Sequence, residues 1–356
     1  MNRRTFMKTL AGAALLTGII GAGGALARGI NRYYDGPVSD HFDGTHFFNP
    51  NGAEPSGMVD FLRWQFGGGR REWPDEWPAS VVKAKPEPRV SGSKLRVTMI
   101  GHATLLIQVD GLNILTDPLY SERASPVSFG GPKRINAPGV AFEDLAPIDL
   151  VLVTHNHYDH LDIDTLRRLQ ASHDPLVVTP LGNDAIIHEA VPQMRVQAQD
   201  WGDATKVGPA TILCEPAHHW SARGIWDRRM ALWASFVIET SHGSIYHVGD
   251  TGFHRGINYR AAAEKYPKGF RLAHLPIGAY EPRWFMQYQH QNPAEAVQGM
   301  LLCGARSAVG HHWGSIQLTN EAVDQPRHDL FMALADAEVP RDRFRPMLPG
   351  DVWDVP

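Results

Sequence analysis

Nine consecutive residues, Thr154-His155-Asn156-His157-Tyr158-Asp159-His160-Leu161-Asp162, constrain this chain more than any other feature. They follow the apolar run Leu150 to Val153, of the kind that forms a strand buried on both faces. Three imidazoles and a carboxylate packed into six residues at the end of such a strand are hard to bury without a shared partner. A loop can aim His155 and His157 one way and turn Asp159 and His160 another, serving two ions; the alternative is a solvated polar loop. The chain has 18 histidines but only two cysteines, Cys214 and Cys303, both in apolar runs. That excludes a disulfide framework, an all-cysteine zinc site and a cysteine-held iron–sulfur cluster. Any metal must therefore be held by imidazole and carboxylate, which suits zinc and does not exclude iron or manganese.

The first 27 residues read as an address rather than part of the fold. They hold Arg3, Arg4 and Lys8, no acidic residue, a Gly-rich apolar stretch and Ala25-Leu26-Ala27 at the end. A basic start, an apolar middle and a small-x-small cleavage site describe a secretory signal. The paired arginines followed by Phe6 and Lys8 resemble a twin-arginine export signal, so a periplasmic or membrane-associated location is expected. An uncleaved anchor is the other reading, since Thr9 to Ala27 is just long enough to span a bilayer. With 34 Lys+Arg against 38 Asp+Glu the whole chain carries −4; losing the three leader cations leaves −7 on the mature protein. Neither value suits nucleic acid or broad adhesion to anionic lipid, so any membrane contact is expected to be apolar and local. A homodimer is compatible with the sequence, which does not specify oligomeric state.

Residues 28–92 are rich in Gly, Pro, Trp and Asn, and only Met58 to Phe66 looks helical. This predicts an irregular wrapping arm, whose Phe42, Phe47, Phe48, Trp64 and Phe66 either pack on the body or form an acyl groove or membrane-facing lip. Regular structure is expected from residue 93 onward. Leu95–Ile100 alternates, Thr104–Val109 is β-rich, and Asp110-Gly111 turns the chain into Leu112–Thr116. A helix follows from Asp162 to Ala171. Further strands are predicted at 176–179, 210–214, 235–239, 244–248, 272–276 and 307–310, with a Pro-led helix over 293–302. Hairpins first and β/α alternation later make the class α/β with layered sheets.

Three later segments each put a metal donor after an apolar strand: Pro216-Ala217-His218-His219-Trp220, Val248-Gly249-Asp250-Thr251-Gly252 and Gly310-His311-His312-Trp313-Gly314. With His-x-His-x-Asp-His in front of them, the chain resembles the metallo-β-lactamase superfamily. Gly101-His102-Ala103-Thr104, Leu115-Thr116-Asp117-Pro118, Arg123-Ala124-Ser125-Pro126, Gly131-Pro132-Lys133-Arg134 and the block Pro276 to Met286 with Tyr288-Gln289-His290 narrow the likeness. Over roughly residues 45–350 they are similar to the N-acylphosphatidylethanolamine-hydrolysing phospholipase D family. The resemblance implies an αβ/βα four-layer sandwich holding two zinc ions, the first on His155, His157 and His219, the second on Asp159, His160 and His312, with Asp250 bridging. In both doubled pairs the family ligand is the histidine before Trp, which leaves His218 and His311 beside the ligands or at the surface. Asp117 is expected to orient ligands as an outer hydrogen-bond acceptor. For His102, a place near the site and an ordinary structural role weigh equally. Tyr280 and His290 are expected to line the substrate pocket.

Such a pair of ions can share a hydroxide that attacks a phosphodiester phosphorus while the metals stabilise phosphoryl charge. Asp159 would orient it or handle its proton, and His290 is the candidate for an electrostatic or acid role. The implied substrate is an N-acylphosphatidylethanolamine-like lipid, with other phosphodiesters open. The same chemistry attacks a carbonyl, so a lactonase or other ester or amide hydrolase is the alternative. A non-catalytic zinc-binding envelope protein is a third reading, disfavoured because structural zinc sites are closed.

Overall fold

The computed structural model describes residues 30–78 and 81–356; the expected export segment, residues 1–27, lies outside the described residues. Two seven-stranded sheets stack face to face. In chain order the strands of the first are β1 (Leu95–Gly101), β2 (Thr104–Val109), β3 (Leu112–Thr116), β4 (Leu150–Leu152), β5 (Leu176–Pro180) and β6 (Arg195–Gln199). The second holds β7 (Ala204–Val207), β8 (Ala210–Glu215), β9 (Ser235–Thr240), β10 (Gly243–His247), β11 (Phe270–Pro276), β12 (Ala305–His311) and β13 (Phe344–Arg345). The last strand, β14 (Val352–Val355), returns to pair antiparallel with β1. Spatial orders are β14-β1-β2-β3-β4-β5-β6 and β13-β12-β11-β10-β9-β8-β7. In each sheet antiparallel hairpins give way to parallel strands, from β3 through β6 and from β10 through β13.

Alternation along the strands explains the layering. Leu150 and Leu152 of β4 join Ile107, Ile114, Phe236, Ile238, Leu272 and Val309 in the core between the sheets. Val151 and Val153 point the other way, onto α2 (Ile163–Ser172) and α3 (Asn183–Ala190), through Leu166, Leu169, Ile186 and Ile187. The buried Leu166 and Leu169 lie three residues apart, on one helix face. The second sheet is covered likewise by α4 (Ile257–Lys265), α6 (Pro293–Leu302) and α7 (Gln325–Asp336), through Tyr259, Ala262, Val297, Met300 and Leu330. The order helix, sheet, sheet, helix is the expected four-layer α/β sandwich. At α6, Asn292 caps the helix and Glu295 completes a capping box around Pro293, so the start read from proline is supported by two side chains.

Residues 30–92 contain one helix, α1 (Met58–Phe66), and the isolated bridge Phe42–Phe47 among the described residues. Of the aromatics weighed for an acyl groove, Phe42 and Phe47 are buried, packing with Trp233, Leu232 and Ala217; for these two, packing on the body is the outcome. Trp64 stacks on Phe285 at 5.2 Å, whereas Phe66 is 65% exposed.

Candidate metal centre

The donors collect at one end of the sandwich because the strands that carry them run the same way. β3 and β4 are parallel, as are β10 and β12 in their direction through β11, and β8 is two antiparallel steps from β10. Within each sheet the loops leaving these strands emerge at one edge, and contacts such as His219–His157 and His312–Asp159 bring the two edges together. The loop after β4 turns sharply because Asp162, its last carboxylate, is used as a cap. The side chain accepts from Asp164 N and Thr165 N at the start of α2 and from Tyr120 N, Ser121 N and Ser121 Oγ across the site.

Two groups of donors result. In the first, His155 Nε2 and His219 Nε2 stand 2.8 and 3.2 Å from His157 Nδ1. In the second, His312 Nε2 lies 3.1 Å from Asp159 Oδ2, and His160 Nε2 lies 3.4 Å from the same oxygen. Asp250 Oδ2 joins them: it is 3.0 Å from His312 Nε2, 3.2 Å from His160 Nε2 and 3.8 Å from His219 Nε2. Nitrogens bound to one tetrahedral zinc lie about 3.3 Å apart for bonds of roughly 2.05 Å. The observed spacings match that, and His160 Nε2 and Asp250 Oδ1 are buried with no hydrogen-bond partner. The site thus fits metal, on its donor chemistry and on its unmatched atoms.

Electrostatics leads to the same result. Burial disfavours charge on the imidazoles, pushing His102 and His219 down to about 4 and His157 to about 3. The same burial opposes charge on His160 and His312, but Asp250 and Asp159 outweigh it and lift His312 to about 9. Two buried carboxylates therefore demand positive charge, which a divalent cation provides without protonating its own ligands.

The outer contacts are specific. Asp117, fully buried, accepts Thr154 N–H at 2.7 Å through Oδ1, and Thr154 Oγ1–H and His160 Nδ1–H at 2.9 Å through Oδ2. His219 Nδ1–H donates to Gln289 O at 3.0 Å. Two glycines let the loops close: a Cβ on Gly249 (φ +65°) would meet Thr154 Cγ2 at 2.7 Å, and one on Gly278 would meet His312 O at 1.8 Å.

Of the residues read from sequence, His155, His157, Asp159, His160, His219, Asp250 and His312 are brought together, with Asp117 behind them. His290 joins them: its Nδ1 is 3.8 Å from Asp250 Oδ2 and has no hydrogen-bond partner. Tyr280 does not. Its hydroxyl donates to Asp329 Oδ2 at 2.6 Å, and it lines a surface cavity of about 600 Å³ with Arg63, Trp64, Arg71 and Trp284. His102, which sequence left undecided, is at the centre: Nε2–H donates to Asp159 Oδ2 at 2.9 Å. Its only local signal was the Gly101-His102 turn, where His102 has φ +57°. Neither remaining histidine of the doubled pairs is at the surface. His218 is buried, accepting from Asn258 Nδ2 at 3.0 Å, and His311 is buried beneath the centre.

Comparison with known proteins agrees with this geometry. Residues 112–313, more than half of the chain, match the model of the β-lactamase superfamily domain. N-acyl-phosphatidylethanolamine-hydrolyzing phospholipase D 1 of Caenorhabditis elegans is 38% identical over 279 residues, 74% of this chain and 77% of that one. The mitochondrial N-acyl-phosphatidylethanolamine-hydrolyzing phospholipase D of Saccharomyces cerevisiae is 34% identical over 68% of this chain and 52% of its own length. Among solved structures, the isothiocyanate hydrolase from Delia radicum gut bacteria superposes with a TM-score of 0.57 at 19% identity, covering 73% of this chain and 99% of its own, and shares the fold. Taken with the donor geometry, these matches show that the chain belongs to the metallo-β-lactamase superfamily, within its N-acylphosphatidylethanolamine-hydrolysing phospholipase D-like family, and is a metal-dependent hydrolase.

Proposed function

We propose that this chain is a dinuclear zinc phosphodiesterase that cleaves N-acylphosphatidylethanolamine-like lipids on the head-group side, releasing a phosphatidic acid and an N-acylethanolamine. One observation carries the reading: the Asp250 carboxylate lies within 3.0–3.8 Å of nitrogens from both donor groups, where it would bridge two ions, in a chain similar to phospholipase D enzymes. His155, His157 and His219 would hold one ion, Asp159, His160 and His312 the other. When bound, such a pair lowers the pKa of water and neutralises phosphoryl oxygens.

The chain's own groups do the rest. Asp159 Oδ2, which accepts from His102 Nε2–H and lies 3.1 Å from His312 Nε2, would orient the attacking water or take its proton. His290 keeps an unpartnered Nδ1 beside Asp250, free to meet a phosphoryl or leaving-group oxygen. The short helix α5 (Arg283–Met286) leads from the Tyr280 cavity to His290, whose N–H donates to Met286 O at 2.8 Å. Arg63 and Arg71 line that cavity together with the carboxylates of Glu281, Glu321 and Asp329. Above it, α1 exposes Met58, Val59, Leu62 and Phe66, the last 65% and Val59 79% accessible, an apolar lip for a local membrane contact.

Zinc-loaded protein is incubated with N-acylphosphatidylethanolamine in H₂¹⁸O, and products are identified by mass spectrometry. Label in the phosphatidic acid phosphate supports attack at phosphorus; label in a released fatty acid, or no turnover of the phospholipid, defeats the reading. Asp250→Asn should lower turnover by at least a hundredfold and lose zinc; an active, zinc-replete variant would remove the bridging role.

A further inference from the structure

Three histidines outside the two donor groups converge in the space between the sheets. His247 closes β10, His274 lies within β11 and His311 closes β12. His247 and His274 are register partners, and His311 pairs with Pro276, two residues beyond His274. With the two-residue period of a strand, all three side chains occupy one face. That face looks toward the first sheet, because Ile245, Leu272 and Val309, each two residues earlier on the same strands, belong to the inter-sheet core.

All three are completely buried. His247 Nδ1 and His274 Nδ1 stand 3.0 Å apart, the His274 and His311 rings 4.2 Å apart, and one nitrogen from each lies within 4.8 Å of the others. His274 Nε2 and both nitrogens of His311 have no hydrogen-bond partner, and His247 Nε2 faces only Asp117 Oδ2, at 3.4 Å. Three adjacent strands thus each carry an imidazole where the preceding position on that face is aliphatic. Desolvated, unmatched nitrogens at this density call for a shared ligand.

We propose that His247, His274 and His311 form a separate site for one divalent transition-metal ion of the zinc class, held by three imidazole nitrogens. Asp117 is its outer acceptor: His247 Nε2 lies 3.4 Å from Asp117 Oδ2, which turns His247 Nδ1 toward His274. A carboxylate behind a ligating histidine is the common arrangement. Since the same Asp117 oxygen accepts from His160 Nδ1 at 2.9 Å, the site is linked to the hydrolytic centre through one carboxylate.

The test reads metal rather than turnover, so it is independent of the lipid reading. Metal-free full-length protein is reloaded with Zn²⁺ alone, desalted and assayed by plasma mass spectrometry, beside His274→Leu and His311→Leu. Each variant should bind one equivalent less than the parent chain. Zinc-loaded crystals of the unaltered protein, measured at the zinc absorption edge, should show an anomalous peak among the three imidazoles. That measurement needs no variant to fold. Absence of the peak in crystals whose other donors are occupied overturns the proposal, as does equal stoichiometry in parent and folded variants.

Discussion

Asp117 lies far in sequence from the loop after β4, yet it organises that loop. Burial works against its charge, but His160 and His247 together hold it down to about 2. Its two oxygens fix Thr154 at the start of the loop and aim the His160 ring. Asp117→Asn keeps the shape and an acceptor for Thr154 N–H but loses the charged acceptor behind His160. Zinc affinity should fall about 10- to 100-fold, as for other outer partners of metal histidines; competition with a chromophoric chelator measures it, and unchanged affinity would relegate Asp117 to loop packing. Residue type is also what made the ligand set readable. Imidazole and carboxylate have few other reasons to occur together after apolar strands, whereas His102 and Tyr280 carry no such local signature. Only the fold brings His102 to Asp159 and turns Tyr280 to Asp329.

Elements, in turn, were legible where the hydrophobic pattern was local. β2, β3, α1 and α6 begin and end as the pattern predicts, and β4, β5 and β8 to β12 differ only at their ends. The edge strands β6 and β7 went unread because their residues alternate between exposed and half-buried, with little apolar signal. β14 went unread because its partner, β1, lies at the other end of the hydrolase body. At α2, Asp162 satisfies both helix N–H groups and the 120–121 turn, so Asp162→Ala should cost about 2 kcal/mol or more, beyond an ordinary cap. Urea unfolding checks it; a loss below about 0.5 kcal/mol would show that water replaces the cap.

The arm gives a pH prediction. His41 places Nδ1 2.6 Å from Asp40 Oδ1 and Nε2 2.7 Å from Asp200 Oδ1, an arrangement that favours the doubly protonated, cationic ring. Burial lowers its pKa, but the two carboxylates outweigh that and raise it. A pKa raised by folding stabilises fully below the unfolded value near 6.5, and that stability is lost as pH climbs through the raised value. Asp40 is largely exposed, so the term is about 1 kcal/mol. His41→Gln should flatten the decline of Tm with pH above 6.5; an identical decline would assign it to other groups.

Across the whole molecule, two sheets each pass from antiparallel to parallel pairing and bring their loops to one edge, where the centre lies. Near that edge stand α1 and its exposed apolar residues. Among the described residues no helix is long and apolar enough to cross a membrane. Val59→Asp with Leu62→Asp should reduce sedimentation with phosphatidylcholine vesicles severalfold and leave zinc content unchanged; equal sedimentation would exclude α1 as the lip. The sequence alone determined the donor types, their order along the chain and the strands that carry them, because side-chain chemistry and two-residue periodicity are local properties. Tertiary structure decided the rest. Whether Phe42 and Phe47 line a groove or fill a core, whether His311 meets solvent or two other imidazoles, and what Asp117 holds all depend on partners distant in sequence. A buried polar group takes its meaning from the atom opposite it, and which atom that is follows only from how the two sheets are stacked.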